Sequence, residues 1–237
     1  MSILTSSSPT ASVLAPFTAP MVIGLAFVAA ILFDLVMPID QARLILREDG
    51  PVESVSALVH LGAAVIALAM WFGRRSLYGL LALASVFMAS REIDLHKAFT
   101  THGVFSLKQY SSEAVPLAEK LISAGAVIAL VVAFFLLTRG VWSEIRRLRA
   151  RRHPALISLV TLLAALPVLK IIDGLPRMLR DQGVSPAAWL TDMLLAVEEI
   201  GEMALPFLTL VILWQLWTGG RRLDYDPPTL ADARPRP

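Results

Sequence analysis

Long apolar runs separated by short polar segments repeat along the whole chain. Six of these runs are long enough to cross about 30 Å of hydrocarbon, which takes roughly 20 helical residues. A backbone in lipid must satisfy its own hydrogen bonds, so helix is the expected state of every run. The predicted spans are 17–37, 52–72, 77–97, 115–138, 155–173 and 187–217.

The composition supports the same class of fold. Hydrophobic residues make up 56% of the 237 positions, charged residues make up 17%, and the mean hydropathy is +0.68. These values are typical of a polytopic membrane protein and not of a soluble domain. We therefore predict an all-α fold, a bundle of six transmembrane helices. The chain contains no cysteine, which excludes disulfides, thiolate metal sites, iron–sulfur clusters and a cysteine nucleophile.

The basic residues are concentrated in alternate loops. Arg74 and Arg75 follow the second run, the segment 139–154 carries six arginines against one glutamate, and Arg221 and Arg222 follow the last run. In a six-span chain these segments face one side, which the positive-inside rule makes cytoplasmic. Both termini are then cytoplasmic, and the expected location is the inner (cytoplasmic) membrane of a bacterium. Orientation also accounts for the net charge of +2 without a nucleic-acid partner.

The chain is predicted to form one membrane domain between two tails. Residues 1–16 are mostly small or polar and read as a disordered amino-terminal tail, and residues 17–218 hold the six spans. Residues 219–237 are rich in proline and read as a disordered cytoplasmic tail. No internal repeat is visible along the sequence.

A dense group of ionisable residues ends the third apolar run. The segment 91–97 places five ionisable side chains directly after an uncharged stretch of fourteen residues, 77–90. Charged groups at membrane depth are costly, so they are usually paired and turned inward. Counting about 1.5 Å of rise per residue from the cytoplasmic ends places ionisable groups of all the spans at roughly 18–29 Å. We therefore predict one polar layer in the outer half of the bilayer.

This polar layer holds more acids than bases. Its bases are Arg91, Lys97, Lys120, Lys170 and Arg177. Its acids are Asp34, Glu53, Glu92, Asp94, Glu119, Asp173, Glu198, Glu199 and Glu202. A surplus of acid inside a membrane implies protonated carboxyl groups, a bound cation or water that enters from the periplasm.

Two sets of residues are candidates for chemistry in this layer. Glu199 or Glu202 would serve as a general base, and Arg91 or Arg177 would stabilise negative charge. The full catalytic set is Glu92, Arg91, Glu199, Glu202, Arg177 and Asp173. A metal site would use His60, His96, Glu92 and Glu199, because imidazole and carboxylate ligands suit a divalent Zn, Fe or Mn ion.

Structural readings of the same residues compete with these assignments. The sequence contains no HExxH motif, and no paired ExxH motif marks a di-iron bundle. The polar layer would then be a hydrogen-bonded network that fixes the register of the helices. Lys170, Asp173 and Arg177 have the spacing of an ion-pair ladder at a helix end. His60 and His96 could also be axial ligands of a haem, although no attachment motif accompanies them.

A polar layer confined to one half of the membrane favours a site that works at the outer leaflet. We expect hydrolysis or group transfer on a lipid or lipid-linked substrate, with membrane lipid as the partner. Two alternatives stay open. One is a non-enzymatic membrane subunit with a structural polar network. The other is a proton- or cation-coupled transporter, although the inner halves of the predicted spans offer few polar residues for a complete route.

Overall fold

The protein is described by a computed structural model for residues 15–47, 50–71, 76–95 and 100–223. This part of the chain is helical and contains no strand. A 3-10 turn, Ala15–Phe17, precedes the first helix. The helices are α1 Thr18–Val36, α2 Ile39–Ile45, α3 Pro51–Trp71, α4 Ser76–Glu92, α5 Leu107–Ser111, α6 Leu117–Ala150, α7 Ala155–Asp181 and α8 Ala188–Leu223.

The predicted all-α class and the membrane-protein character are confirmed. Among the described residues, four helices are long and apolar enough to cross a membrane, namely α1 together with the preceding turn, α3, α6 and α7. The other two predicted spans correspond to α4 and α8. Helix α4 has only 17 residues, fewer than the roughly 20 that cross a bilayer, and α8 carries Asp192, Glu198, Glu199 and Glu202 in its first half.

The boundaries of the predicted domain and tails are only partly covered by the described residues. Helix α8 continues to Leu223, beyond the predicted end of the membrane domain at 218. Residues 1–14 and 224–237, which make up most of the two predicted tails, lie outside the described residues.

The prediction of a loop at 139–154 was wrong over most of its length. Helix α6 continues through it to Ala150, and its C-cap residue is Arg151. The segment contains no proline before Pro154, and its arginines and leucine are good helix formers. Leu148 also packs into the core, which ties this polar extension of the helix to the bundle.

Helix α8 lies at the centre of the bundle and packs against α1, α3 and α7, while α3 packs against α4. One core cluster joins the end of α3, the start of α4, the end of α6, the start of α7 and the second half of α8. It includes Ala67, Leu77, Tyr78, Leu81, Leu148, Leu159, Ile212, Leu213 and Leu216. A second cluster joins α1, α7 and α8 and includes Ala19, Ala165, Leu169, Leu205 and Leu208.

Gly201 allows a close approach between α8 and two neighbouring helices. A Cβ atom at Gly201 would overlap the Leu169 side chain of α7 and would lie 3.3 Å from the Phe27 ring of α1. Small residues at helix interfaces in membranes allow the backbones to approach closely. Gly201 therefore allows α8 to pack closely against α7 and α1 at the position next to Glu202.

Helix α6 is attached to the rest of the protein near its two ends. Near the amino-terminal end of α6, Gln109 of α5 donates hydrogen bonds to Glu119 at 2.9 Å and to Ser123 at 3.2 Å. At the other end the Ser76 hydroxyl of α4 donates to the Glu144 carboxylate at 2.5 Å. No residue of α6 between Ser123 and Glu144 is buried, so the middle of the helix stands away from the bundle.

Replacing Gln109 with leucine is expected to lower the free energy of unfolding by about 1–3 kcal/mol. The Gln109 side chain is fully buried, and its amide also accepts a hydrogen bond from the His102 backbone N–H at 2.9 Å. The substitution would leave several polar groups without partners. Thermal unfolding in detergent would measure the loss, with exposed Gln182→Leu as the control, and equal stabilities of the two variants would contradict the prediction.

Candidate functional site

An ion pair joins the end of α4 to α8. The Arg91 Nη2 group donates to both carboxylate oxygens of Glu202, each at 2.6 Å. The Glu202 side chain is only 10% exposed, whereas the Arg91 side chain is 44% exposed. The pair therefore has a buried acid and a base that still reaches the surface.

Two buried side chains near this pair, His60 and Glu92, carry polar atoms without hydrogen-bond partners in the described part of the chain. His60 of α3 is 2% exposed, and neither of its ring nitrogens has a hydrogen-bond partner in the described part of the chain. Glu92 is 6% exposed, and its Oε1 atom is likewise without a partner there. The charge of Arg91 acts on both groups. Buried polar atoms are normally hydrogen-bonded, and these three atoms of His60 and Glu92 are exceptions among the described residues.

Two further acids of α8 complete the cluster. Glu198 is within electrostatic range of Glu202, Arg91 and Asp173. Glu199 is within range of Glu198, Glu202, Glu53 and Glu92. Neither Glu198 nor Glu199 forms an ion pair or a side-chain hydrogen bond among the described residues. We call Glu53, His60, Arg91, Glu92, Glu198, Glu199 and Glu202 the acidic cluster.

Carboxyl groups outnumber cations in and around the acidic cluster. Arg91 is bonded to Glu202, and Lys170 is bonded to Asp173 on α7. Lys170 also acts on the cluster, through Glu198. Glu92 and Glu198 feel these charges, but neither they nor Glu199 form a direct ion pair among the described residues. Like charges this close cannot all be ionised without compensation.

The structure brings most of the predicted site residues together but separates others. Arg91, Glu92, Glu199 and Glu202 share the acidic cluster with His60. Asp173 lies at the edge of the cluster, where its charge acts on Glu198. It is bonded to Lys170, as expected for that pair of the predicted ion-pair ladder. Arg177 is exposed and bonds to none of these residues in the described part.

Glu119 was predicted to belong to the same layer, but it serves the loop before α6. Its carboxylate accepts hydrogen bonds from the Thr101 backbone N–H at 2.6 Å and from Gln109. The depth of a residue along its helix could not reveal this, because it does not say which way the side chain faces.

Sequence reasoning missed an ion pair at the edge of the bundle. Arg43 of α2 donates to Asp192 of α8 at 2.9 and 3.1 Å. A cavity of about 160 Å³ beside this pair is lined by Asp34 and Trp189. Arg43 lies in the polar segment between two predicted spans. Its charge was the only feature of the sequence that could have suggested an ion pair there.

The predicted metal site is only partly covered by the described residues. His96, one of its four predicted ligands, lies outside them, and so does Lys97. Within the described ranges no group of three or more histidines, aspartates and glutamates has the arrangement of a metal site. The carboxylates and His60 are ligand types that suit Zn, Fe or Mn, and the metal stays a prediction.

The chain was also compared with known proteins. No family model, no curated protein and no solved structure matches it. The function is therefore argued from the geometry and charge of the acidic cluster.

Proposed function

We propose that this chain is a multi-pass membrane protein whose acidic cluster binds and releases a proton or a metal cation from the outer aqueous side. The observation that carries this proposal is the set of unpaired carboxyl groups at Glu92, Glu198 and Glu199 beside a single Arg91–Glu202 pair. Glu92 is buried, and Glu198 and Glu199 are half-buried. Carboxylates in such positions are unfavourable without an ion-pair partner, so we expect them to take up a proton or share a cation. A site of this kind suits proton- or cation-coupled transport.

The proposed topology has six spans, two cytoplasmic termini and an acidic cluster near the periplasm of a bacterial inner membrane. Helices α4 and α8 are then spans whose polar ends form the site, which explains why they are shorter or more charged than the other four. The arginine-rich end of α6 supports this orientation because basic segments stay on the cytoplasmic side. Cysteines placed at 113 and 151 and labelled from either side of sealed vesicles would test it.

Changing Glu199 to glutamine is expected to remove a protonated-carboxyl signal from the protein at neutral pH. The neutral amide keeps the size of the side chain but cannot bind and release a proton. Infrared spectra of the purified protein during a pH titration separate the C=O band of a carboxylic acid from the bands of carboxylates. Glu92→Gln is expected to act in the same way, and exposed Glu113→Gln is the matched control.

A proton and a metal cation, the two ligands considered in this proposal, can be distinguished by different measurements. If the ligand is a proton, reconstituted vesicles will show a pH-gradient-dependent flux that Glu92→Gln abolishes. If the ligand is a metal cation, adding that ion will raise the melting temperature of the wild type but not of Glu199→Gln. The proposal is wrong if the wild type shows neither a protonated carboxyl group nor a cation-dependent melting temperature.

A second candidate function, hydrolysis or transfer on a lipid or lipid-linked substrate, is favoured by the exposure of Arg91. Its Nη2 group is bonded to Glu202, while its Nε and Nη1 groups make no bond in the described part and could receive a phosphate. Glu92 or Glu199 would then accept a proton from the attacking water. Incubation with phospholipid vesicles and analysis of released products would show a turnover that Arg91→Gln abolishes.

A further inference from the structure

A long apolar groove runs between α4, α6 and α7, away from the acidic cluster. Its volume is about 820 Å³. Leu81 and Ala84 line it from α4, Phe134 from α6, and Leu163 from α7, while Phe105 lies at its outer end. It exists because α6 is attached near Ser123 and near Glu144 and stands away from the bundle between these points.

The groove has the length and the surroundings of a lipid site. Its lining on α6 runs from Leu130 to Ile145, which corresponds to roughly 22 Å at 1.5 Å per residue. This stretch belongs to a helix that is long and apolar enough to cross a membrane, so we expect hydrocarbon around the opening. Phe134 is 71% exposed within it, as expected of a side chain that contacts an acyl chain.

Basic side chains stand at one end of the groove. Trp142 and Ile145 line this end, and Arg146 and Arg149 each lie four residues further along α6 on the same faces. Both arginines are exposed, whereas Arg147 is bonded to Glu144 at 2.8 Å. An apolar groove that ends at arginines between membrane helices complements a lipid with an anionic headgroup.

We propose that this groove binds an anionic phospholipid, with an acyl chain between α4 and α6 and the phosphate at Arg146 and Arg149. The planar guanidinium group suits bidentate contact with phosphate. Trp142 lies at the boundary between the two parts of the lipid, where aromatic side chains are enriched in membrane proteins. The proposal does not depend on the function proposed for the acidic cluster.

The charge of the headgroup can be tested with a double variant, Arg146→Gln with Arg149→Gln. Its affinity for phosphatidylglycerol is expected to be roughly 30-fold weaker, because each arginine near an anionic headgroup contributes independently. Native mass spectrometry of the detergent-purified protein, titrated with phosphatidylglycerol or phosphatidylcholine, measures this affinity. Arg180→Gln, an exposed arginine at the end of α7, is the control and should bind as the wild type does.

The acyl chain can be tested by filling the groove. Ala84→Leu should reduce binding of phosphatidylglycerol, whereas Ala129→Leu on an exposed face of α6 outside the groove should not. Equal binding of phosphatidylcholine and phosphatidylglycerol by the wild type would overturn the proposal, and so would unchanged binding in the arginine variant. If Ala84→Leu instead dissociates a dimer while lipid retention is unchanged, the groove is an interface between copies and the lipid proposal is wrong.

Discussion

Replacing Glu202 with glutamine should lower the free energy of unfolding by about 1–3 kcal/mol. Breaking a fully buried ion pair typically costs about 3–5 kcal/mol, because the remaining charge loses its partner. The lower value follows from the half-exposed side chain of Arg91, which can turn toward water or headgroups when Glu202 is neutral. Denaturation in mixed micelles would measure the difference between the variant and the wild type.

A double-mutant cycle distinguishes the pair from the general effect of changing a buried residue. Arg91→Met should destabilise the protein as well, because Glu202 would be left as a buried carboxyl group without its bonded partner. The combination of Arg91→Met with Glu202→Gln is expected to cost less than the sum of the single changes, by about 0.5–3 kcal/mol. Strict additivity would mean that the two side chains do not stabilise each other.

Replacing Gly201 with leucine is expected to have the largest effect on stability, a loss of about 3 kcal/mol. The new side chain would occupy space held by Leu169 and Phe27, and α8 would have to move away from α7 and α1. Since Glu202 is the next residue, the movement would also displace it from Arg91. We therefore expect a lower melting temperature together with loss of the protonated-carboxyl signal or cation effect proposed for the acidic cluster.

Gly174→Leu is the matched control for this substitution. Gly174 also lies within a helix that packs on α8, but a Cβ atom there meets no atom within 4 Å. Replacing a helical glycine where space is open usually adds about 0.5–1 kcal/mol of stability, because glycine has the larger conformational entropy in the unfolded chain. A similar loss in both variants would show that close packing at Gly201 is not the cause.

The two predictions link stability with function at the same place. Gly201 positions α8 through packing, Glu202 joins α8 to α4 through an ion pair, and Glu198 and Glu199 are carried into the cluster by the same helix. If Glu199→Gln leaves stability unchanged but removes the proton or cation effect, a network that only fixes helix register is excluded as its role. If it lowers stability alone, the structural reading of the polar layer is supported instead.

The positions of the helices could be predicted from the sequence because hydropathy is a local property. The predicted runs at 52–72 and 77–97 correspond to α3 and α4, and the last run corresponds to α8. The acids within or beside the apolar runs, such as Glu92 and Glu199, could also be identified from the sequence. The length of α6 was missed because a run of arginines resembles a loop when only hydropathy is considered.

Partners and directions were decided by tertiary packing alone. Depth along a helix placed Glu119 and Glu202 in one layer, but only the packing of the helices turns Glu202 toward Arg91 and Glu119 toward Gln109 and Thr101. The Arg43–Asp192 pair and the groove along α6 depend on which helices are neighbours, and small residues such as Gly201 determine how closely they approach. The sequence by itself therefore determined an all-helical membrane protein with an acid-rich layer. Only the tertiary structure decided which acids share a site. Side-chain contacts between helices depend on how each helix is rotated about its axis and how far it lies from its neighbours, and the sequence of one helix specifies neither.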